Sequence, residues 1–434
     1  MSPVATTGSA FKDADVIVVG GGMAGLTCAL LLQRKGVKAV LCEASDDVGG
    51  RVRTDVVDGF LLDRGFQIFL TSYPEAKLLL DYDALQLQKF YAGALIRWDG
   101  SFHRIADPLR HLLDGLLSLP NPVGSVLDKV NVGIFRIKTL FGSLDDLLSR
   151  PETSILDRLR AEGFSDTMID RFFRPFLGGI FFDRELGTSS RMFEFVMRML
   201  ATGSNSLPAR GIGAVAHQLS EQLQPGTLAC GVRVSKVQGR TVTLEDGTVL
   251  TAKSSVVIAV EGPEAVRLLG SDSMQASPTM ISGVGTCCLY FKAPTAPSPE
   301  NILYLNGDDS GIINNCCFPS SVSASYAPAG QALASVSILG VHAGMTDSEM
   351  ETAVRGQLSG WFGAAEVGRW THLRTYRIPF AQPNQAPPTN FLRPVSLGGG
   401  VFVCGDHRDS STLDGAIKSG RRAAEAIMAD ARVA

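Results

Sequence analysis

Apolar residues near the start of the chain follow a strand–turn–helix order. Residues 15–19 read DVIVV, a β-branched run of strand length, and the segment from Leu26 to Lys35 has apolar positions at helical spacing. A second apolar run, Val37 to Cys42, ends at Glu43. The uncharged stretch from Val16 to Gln33 approaches the length of a membrane span, but four glycines cluster at one turn inside it. The pattern therefore predicts a buried strand, a tight turn, a helix and a second strand.

Residues 228–260 carry a different pattern, with apolar positions alternating on both sides of a turn at Glu245-Asp246-Gly247. Alternation of this kind predicts consecutive antiparallel strands. The segment ends in a run from Ser255 to Val260 that is typical of a buried strand.

A further strand and helix are predicted near the end of the chain. Val401 to Cys404 has strand character and leads into Gly405-Asp406. Ser411 and Asp414 then match the Ser/Thr-x-x-Asp/Glu pattern of a helix start, before a helix that is expected to run through Ile427.

Two long insertions separate these segments, at residues 81–210 and 265–388. The first is apolar at mixed helical spacing with proline breaks, and the second contains the strand-like runs CCLYFKAP and ALASVSILGV. We therefore expect a largely helical lobe that packs against a sheet built from the second insertion. The proline-rich stretch from Pro379 to Pro394 is interpreted as the connection out of this region.

Composition narrows the class of protein. The chain has 434 residues, of which 45% are hydrophobic, and its net charge of −3 provides no basic field for nucleic acid. The 8 cysteines show no C-x-x-C spacing, which favours free buried thiols in a reducing compartment, and the 6 histidines show no metal-ligand spacing. No metal site and no nucleic-acid partner are predicted.

The N-terminal residues give little guidance on location. The sequence MSPVATTGSAFKDAD lacks a basic region followed by an apolar block, so no secretory signal is predicted. It is rich in Ser, Thr and Ala but free of arginine, which leaves cytoplasm and plastid stroma both open.

The turn after the first strand carries candidate chemistry. Gly20, Gly22 and Gly25 fit G-x-G-x-x-G, in which the glycines allow the sharp turn, the close approach of a pyrophosphate and tight packing of the helix. Glu43, about 20 residues further on, is placed to accept hydrogen bonds from ribose hydroxyls and to repel a 2′-phosphate. A dinucleotide other than NADP is predicted.

The residues that follow identify the dinucleotide. A G-G-R segment is formed by Gly49, Gly50 and Arg51, and a D-x-G segment by Asp63, Gly65, Phe66 and Gln67. With these, the sequence resembles the flavin amine oxidase and phytoene desaturase superfamily of FAD-dependent oxidoreductases. The resemblance implies that Arg51 contacts the FAD phosphates and that Gly65 to Gln67 lie beside the isoalloxazine. An arginine beside a glycine pair suits a diphosphate on physical grounds also.

The resemblance also assigns roles in the two later segments. It implies that Val232 pairs through its backbone with adenine, that Gly405 and Asp406 lie at the ribityl–phosphate region, and that the Ala416 N–H faces the flavin pyrimidine edge. Asp47 stands where many relatives carry an arginine, so one phosphate contact is expected to be absent. FAD is expected to be non-covalent, because Cys404 is interpreted as buried packing.

The expected fold class is α/β, with a Rossmann-like FAD-binding domain of the glutathione-reductase type and an inserted α+β substrate domain. We assign residues 13–80, 211–264 and 389–434 to the FAD-binding domain. Residues 81–210 and 265–388 form the substrate-binding domain, as a helical lobe plus a sheet.

The substrate region gives weaker indications. Thr286 stands where the amine oxidase branch has a lysine near flavin N5, and Ser410, Ser411 and Thr412 stand where that branch has an aromatic residue; both differences weigh against an amine oxidase. No catalytic side chain is identified. A cluster of arginines and phenylalanines is interpreted as core rather than as site, its members being Arg171, Phe172, Phe173, Arg174, Phe176, Phe181 and Phe182.

The stretch from Pro108 to Val123 contains six leucines, at positions 109, 112, 113, 116, 117 and 119. Core helix is the favoured interpretation, and a membrane-facing lip that admits a lipid-soluble substrate is the alternative. The second interpretation would give the protein a peripheral membrane contact.

The leading hypothesis is an FAD-dependent enzyme that takes hydride from a largely apolar small molecule, isoprenoid or carotenoid-like, to flavin N5. Electrons would then pass to a quinone or to oxygen. The alternatives are a flavin amine oxidase, a protoporphyrinogen oxidase-like enzyme and, outside enzymes, a lipid-binding escort protein like the Rab escort and GDI proteins. Intact FAD motifs argue against an escort protein, which has no physical need for them.

Overall fold

The computed structural model describes residue 11 and residues 13–107, 110–118, 120–270 and 282–433. The first ten residues, on which the question of a leader peptide rests, lie outside the described residues, as do Leu109 and Leu119 of the leucine-rich stretch.

The strands, in chain order, are β1 (Val16–Val19), β2 (Ala39–Cys42), β3 (Thr54–Val57), β4 (Phe60–Asp63), β5 (Phe69–Leu70), β6 (Gln88–Lys89), β7 (Gly93–Trp98), β8 (Ser101–Ala106), β9 (Asn205–Leu207), β10 (Leu228–Ala229), β11 (Val234–Gln238), β12 (Thr241–Leu244), β13 (Val249–Thr251), β14 (Ser255–Ile258), β15 (Gly283–Ala293), β16 (Leu303–Asn306), β17 (Asn315–Cys317), β18 (Ala332–Leu339), β19 (Thr371–Pro383), β20 (Ser396–Gly398) and β21 (Val401–Val403).

The α-helices are α1 (Met23–Arg34), α2 (Pro74–Leu79), α3 (Tyr82–Leu85), α4 (Leu112–Leu117), α5 (Val126–Leu140), α6 (Leu144–Leu148), α7 (Ile155–Ala161), α8 (Asp166–Met168), α9 (Arg174–Phe181), α10 (Ser190–Thr202), α11 (Ala214–Ser220), α12 (Gly262–Leu269), α13 (Pro319–Val322), α14 (Asp347–Phe362), α15 (Ala364–Val367) and α16 (Leu413–Val433).

A mixed sheet of six strands, in the order β10-β2-β1-β14-β21-β20, forms the first layer of the fold. Its central strands are parallel and their residues are fully buried, as expected for a sheet covered on both faces. In register, Val19 lies between Cys42 and Ile258, so the loops that follow β1, β2 and β14 leave the sheet at the same edge. The predicted strand, turn, helix and second strand at the start of the chain are confirmed.

A small antiparallel sheet, β11-β12-β13, precedes β14. It confirms the consecutive antiparallel strands predicted for residues 228–260. Its buried valines pack with β1 and β14 in one hydrophobic cluster, so it covers the first sheet on one face.

The second large sheet has seven strands in the order β19-β15-β18-β17-β16-β7-β8. The runs CCLYFKAP and ALASVSILGV lie in β15 and β18, as predicted. The expectation that the second insertion alone builds this sheet is wrong, because β7 and β8 of the first insertion extend it. The parallel pairing of Leu303–Asn306 with Ala94–Arg97 makes that connection. The domain boundaries themselves remain a prediction.

The proline-rich stretch was interpreted as a connection, and the structure corrects this interpretation. β19 continues through Pro379 to Pro383 and pairs with β15 along most of its length. An edge strand tolerates proline because one side of its backbone needs no donors. Only the residues after Pro383 lead back toward β20.

The helical lobe lies between β8 and β9 in the chain. A turn of π-helix, Ile169–Phe173, leads into α9, and α10 packs against α5 through stacked rings of Phe193 and Phe135. The predicted helical character of this insertion is confirmed.

The interpretation of the leucine-rich stretch as core is wrong for two of its residues. Leu113 and Leu117 on α4 are 75% and 76% exposed. Further exposed apolar side chains follow one face of α5 and the residue after it, and we call them the apolar stripe: Val126, Leu127, Val130, Ile134, Ile137, Leu140 and Phe141. No helix in the described ranges is both long and apolar enough to span a bilayer.

The last helix begins one residue later than its predicted cap implies. α16 starts at Leu413, and the Thr412 hydroxyl accepts a hydrogen bond from the Gly415 N–H at 2.9 Å. Thr412 rather than Ser411 is therefore the capping side chain. The Asp414 carboxylate instead accepts hydrogen bonds from the N–H groups of Glu75 and Ala76, at the start of α2.

The cysteines are free thiols, as predicted, and all but the half-buried Cys230 are buried. Cys404 is fully buried at the end of β21, where burial raises the pKa of its thiol to about 12. A protonated thiol in that position acts as packing.

Candidate active site

A cavity of about 1100 Å³ runs from the carboxyl edge of the first sheet to the face of the second sheet. One end lies where the loops after β1, β2, β14 and β21 converge, the usual place for ligands in open α/β sheets. The other end lies between α9, α10 and β19. The cavity therefore joins a nucleotide-type site to a space in the substrate lobe.

The glycine turn has the geometry that the motif requires. Gly20 has φ of +107°, and a Cβ on Gly25 would lie 1.9 Å from the Gly20 carbonyl oxygen, so α1 packs closely only without side chains there. A Cβ on Gly22 would meet nothing within 4 Å, and Gly22 lines the cavity. No side chain caps α1, so its first N–H groups face the cavity end that suits an anion.

Glu43 lies at the end of β2, in the cavity wall, and is largely buried. One carboxylate oxygen accepts from the Gly21 N–H at 2.6 Å, and the other accepts from the N–H and hydroxyl of Ser45. These bonds fix the carboxylate, and an ionised carboxylate has further lone pairs for the hydroxyls of a ribose.

The G-G-R segment and the Gly405-Asp406 segment meet across the cavity. An Arg51 guanidinium nitrogen lies 2.8 Å from an Asp406 carboxylate oxygen, and another donates to the Ala381 carbonyl at 3.0 Å. Gly49, Gly50 and Gly405 line the same part of the cavity. Arg51 thus presents a positioned cation beside backbone without side chains, as a diphosphate requires.

Gly65, Phe66 and Gln67 form a loop in the cavity wall. The Gln67 amide donates to the carbonyls of Arg51 and Arg64, which ties this loop to the G-G-R segment. A Cβ on Gly65 would lie 2.8 Å from the Ile378 side chain, so β19 passes directly against the loop.

Asp63 supports this loop from behind the cavity. Its carboxylate is buried and accepts from the Thr54 hydroxyl, the Ile212 N–H and the Tyr326 hydroxyl. Burial raises the pKa of Asp63 to about 6, although these hydrogen bonds act in the opposite direction.

The backbone groups of Ala416 and Val232, which were predicted to contact FAD, already make hydrogen bonds within the protein. The Ala416 N–H donates to the Thr412 carbonyl at 3.0 Å, because Ala416 is the fourth residue of α16 and its amide is satisfied inside the helix. Leu413, at the start of α16, lines the cavity with Ala416. The Val232 N–H donates to the Glu43 carbonyl at 2.8 Å, which leaves the Val232 carbonyl for adenine.

Asp47 stands where the resembled proteins carry an arginine that contacts a phosphate, and it does not line the cavity. It lies 2.8 Å from the His217 ring on α11 and accepts from the Val48 N–H. Here it stabilises the loop after β2 rather than a phosphate.

The substrate end of the cavity has an apolar wall that includes Phe176, Phe181 and Phe182, three residues that the sequence analysis assigned to core. α9 and α10 supply most of it, and the π-helical turn before α9 shifts the register of the phenylalanines. Phe173 is core, as expected, but other members of the cluster face the cavity. The apolar wall consists of Ile68, Phe176, Ile180, Phe181, Phe182, Val196, Leu200, Leu303 and Leu305.

Strand β19 provides the opposite wall, which the sequence analysis missed. The cavity is lined by Arg374 and by the continuous run from Tyr376 to Gln382, along which the pairing of β19 with β15 shifts register. The prolines from Pro379 onward led to the interpretation of this stretch as a connection.

Thr286 lies on β15 opposite Ile378 and lines the cavity. Its hydroxyl donates to the Ile338 carbonyl at 2.8 Å. Ser411 and Thr412 also line the cavity, and none of its described lining residues is a lysine. Within the described ranges, no three His, Cys, Asp or Glu side chains are grouped as metal ligands would be.

The donor set fits FAD. The glycine cradle, the α1 N-terminus and Arg51 would hold the diphosphate, Glu43 the ribose, and the Gly65–Gln67 loop with the start of α16 the flavin ring. The family model for flavin containing amine oxidoreductase matches residues 23–428.

The chain belongs to this family. It is an FAD-dependent oxidoreductase, and the escort-protein alternative is set aside.

Curated relatives resemble the chain at modest identity. Protoporphyrinogen oxidase 1 of Arabidopsis thaliana is 28% identical over 52% of this chain and 41% of its own length. Coproporphyrinogen III oxidase of Mycobacterium tuberculosis is 27% identical over 58% of this chain and 60% of its own length. The 15-cis-phytoene desaturase of Capsicum annuum is 28% identical over 37% of this chain and 30% of its own length. The matches thus span less than two thirds of each relative.

Solved structures match nearly the whole fold. An oxidoreductase from Methanosarcina mazei has a TM-score of 0.71 at 17% identity and covers 94% of this chain and 99% of its own. A putrescine oxidase variant also has a TM-score of 0.71, at 16% identity, with 96% and 99% covered. The expected fold class, a Rossmann-like FAD domain with an α+β substrate domain, is confirmed.

Proposed function

We propose that this oxidoreductase removes hydride from a largely apolar small molecule, isoprenoid or carotenoid-like, and delivers it to the flavin. The apolar wall carries this proposal. Aliphatic and aromatic side chains from α9, α10 and β16 enclose the substrate end of the cavity, beside the loop that would hold the flavin ring. Such a lining binds a substrate by burial of apolar surface.

The side chains at this end would act by positioning. The aromatic residues of α9 and the aliphatic residues of α10 orient the substrate and exclude water, which favours a C–H bond held at a fixed place. Bound FAD supplies the hydride acceptor. No described side chain needs to supply an acid or base, and we propose a quinone or oxygen as the final electron acceptor.

A porphyrinogen is the second candidate substrate. Two of the relatives above are porphyrinogen oxidases, and a porphyrinogen is a large, readily oxidised ring with an apolar face. An amine is disfavoured, because Thr286 stands in the cavity wall where the resembled amine oxidases have a lysine, and Ser411 and Thr412 stand in place of an aromatic residue.

The test is anaerobic reduction of the bound flavin in the purified protein. Phytoene in detergent micelles, protoporphyrinogen IX and putrescine are added separately, and the flavin absorption band is followed. We expect bleaching by phytoene and none by putrescine. Bleaching by protoporphyrinogen IX alone would replace the proposal with the second candidate, and bleaching by putrescine alone would overturn both.

We further propose that the apolar stripe and the exposed leucines of α4 rest on a lipid bilayer. α10 contacts both α5 and the cavity through one face: Phe193 packs on Phe135 of α5, and Val196 and Leu200 further along that face line the cavity. Arg110, next to α4, donates to the Leu200 carbonyl at 2.9 Å. A substrate dissolved in lipid would thus have a short route to the active site.

Flotation with phosphatidylcholine vesicles tests this surface. We expect the wild-type protein to float with the vesicles and Ile137→Asp to remain in the dense fraction, because a carboxylate in the stripe opposes insertion. Thr167→Asp, which adds the same charge at an exposed polar position of the same lobe, is the control. Equal flotation of wild type and Ile137→Asp would rule out the stripe as the contact.

A further inference from the structure

At one end of the β19 wall, the arginine side chains outnumber the carboxylates that they contact. Arg374, Tyr376, Arg64 and Asp55 line the cavity together at this end. Asp55 provides the carboxylate of the group, and it faces two guanidinium groups.

Other donors already satisfy Asp55. Arg64 binds it through two nitrogens, at 2.9 and 3.1 Å, and the Tyr376 hydroxyl donates to it at 2.7 Å. Burial alone would raise the pKa of Asp55, but the hydrogen bonds from Arg64 and Tyr376 hold it below its usual value. Asp55 is therefore a fixed anion with its partners in place.

Arg374 makes only a long contact to this carboxylate. Its nearest guanidinium nitrogen lies 3.5 Å from Asp55, and its side chain is 46% exposed, over the ring of Tyr376. The neighbouring Arg377 differs, because its guanidinium binds Asp347 and the carbonyls of Val341, His342 and Met345. Arg374 thus leaves the cavity end with one positive charge more than its carboxylate balances.

The position of Arg374 relative to the flavin end sets a length. Ile378 contacts the Gly65 loop, and Arg374 lies four residues away on the same face of β19, which is about 13 Å at about 3.3 Å per residue. Tyr376 lies between them on this wall, and its ring packs edge-on against that of Tyr290.

We infer that Arg374 is an anion subsite, and that the substrate is an apolar molecule with an acidic terminus, carboxylate or phosphate, about 13 Å from the carbon that faces the flavin. This inference rests on the proposed apolar substrate. A guanidinium suits either anion because it offers paired donors in a plane.

The test uses the FAD-loaded protein and three probes with the same chain: dodecanol, dodecanoate and dodecyl phosphate. Binding is followed by the change in the flavin absorption spectrum. We expect wild type to bind one or both acids at least about tenfold more tightly than dodecanol, as a charged hydrogen-bonded contact provides. Added salt is expected to reduce the preference for the acids, because the Arg374 side chain is about half exposed to solvent and its charge is therefore screened. Whichever of dodecanoate and dodecyl phosphate binds more tightly identifies the anion as a carboxylate or a phosphate.

Arg374→Gln is expected to bind the acids about as weakly as dodecanol, Arg374→Lys to keep part of the preference, and both to keep dodecanol affinity. The matched control is Arg369→Gln, since Arg369 is also half exposed but binds Glu366 outside the cavity. An unchanged preference for acid in Arg374→Gln, or no preference in wild type, would overturn the inference while dodecanol binding still supports the apolar site. Binding of no probe would overturn both.

Discussion

Arg51 and Asp406, 355 positions apart in the chain, form an ion pair of 2.8 Å across the cofactor end of the cavity. The pair joins the loop after β2 to the loop after β21. It also leaves Arg51 placed beside the glycine-lined backbone where the diphosphate is proposed to bind. We therefore expect cofactor affinity and the join between these loops to depend on the same side chain.

Arg51→Gln is expected to lower FAD affinity at least about tenfold, because a charged hydrogen-bond donor to the diphosphate is lost. The measurement is the ratio of flavin to protein absorbance after gel filtration. Arg34→Gln, on the exposed end of α1, should retain the wild-type ratio. Full flavin content in Arg51→Gln would contradict the proposed phosphate role.

Two glycines of the same motif should respond differently to alanine. Gly22→Ala is expected to fold normally and lose FAD affinity, because the new methyl group enters open cavity space. Gly25→Ala is expected to lower the unfolding temperature of the FAD-free protein, because its methyl group would lie 1.9 Å from a carbonyl oxygen. Thermal unfolding and flavin content, measured for both variants, separate the two effects. Full flavin content in Gly22→Ala, together with loss of flavin in a stable Gly25→Ala, would show that the diphosphate does not approach Gly22.

Ile180→Asp places a carboxylate in the apolar wall and is expected to abolish flavin reduction by phytoene in micelles, while the flavin spectrum of the oxidised protein stays that of wild type. Ile137→Asp, on the apolar stripe, serves as the comparison. Its flavin should be reduced by phytoene in micelles at the wild-type rate. Equal rates in Ile180→Asp and wild type would place the substrate elsewhere.

Asp63 should make stability depend on pH. Its folded-state pKa of about 6 lies above the ordinary aspartate pKa of 3.8, so the folded protein holds the proton more tightly and stability falls as pH rises from about 4 to about 6. Asp63→Asn keeps an oxygen that accepts from Thr54 and Ile212 and presents an amide N–H to the Tyr326 hydroxyl, and it is expected to gain up to about 3 kcal/mol on wild type across that window.

Urea unfolding of both proteins between pH 4 and 7 measures this difference. Asp414, whose pKa burial raises to about 7, acts in the same direction but is common to both proteins and cancels. Asp58→Asn, on the exposed turn after β3, is the control. A constant difference between wild type and Asp63→Asn at all pH values would show that Asp63 is ionised throughout.

Local patterns predicted the strand, turn and helix that carry the proposed cofactor residues, while the roles of those residues remain predictions. The turn, the acid and the G-G-R segment are encoded within about 35 neighbouring residues, where strand and helix periodicity are decisive. The cap of α16 was misplaced by one residue, because Ser411 and Thr412 are chemically equivalent and only the helix start distinguishes them.

Non-local packing explains what the sequence analysis missed. The cavity face of β19 mixes Arg374, Tyr376 and Ile378, so its alternation does not follow hydrophobicity. The pairing of β7 with β16 joins two insertions through backbone hydrogen bonds, which leave no mark in side-chain patterns.

The order of strands in the first sheet also determines how late during synthesis this sheet can be completed. β1 borders β14, with Val16 opposite Ser255, and β14 in turn borders β21, with Val256 opposite Val401. At about 5–20 residues per second, the ribosome needs roughly 10–40 s to proceed from Cys42 to Ser255, and β1 has an unpaired edge for all of that time. Gly405 and Asp406, at the cofactor end of the cavity, are made only after β21. The edge of β1 is therefore open to pairing with other chains until β14 is made, and we expect FAD to bind only when nearly the whole chain has been synthesised.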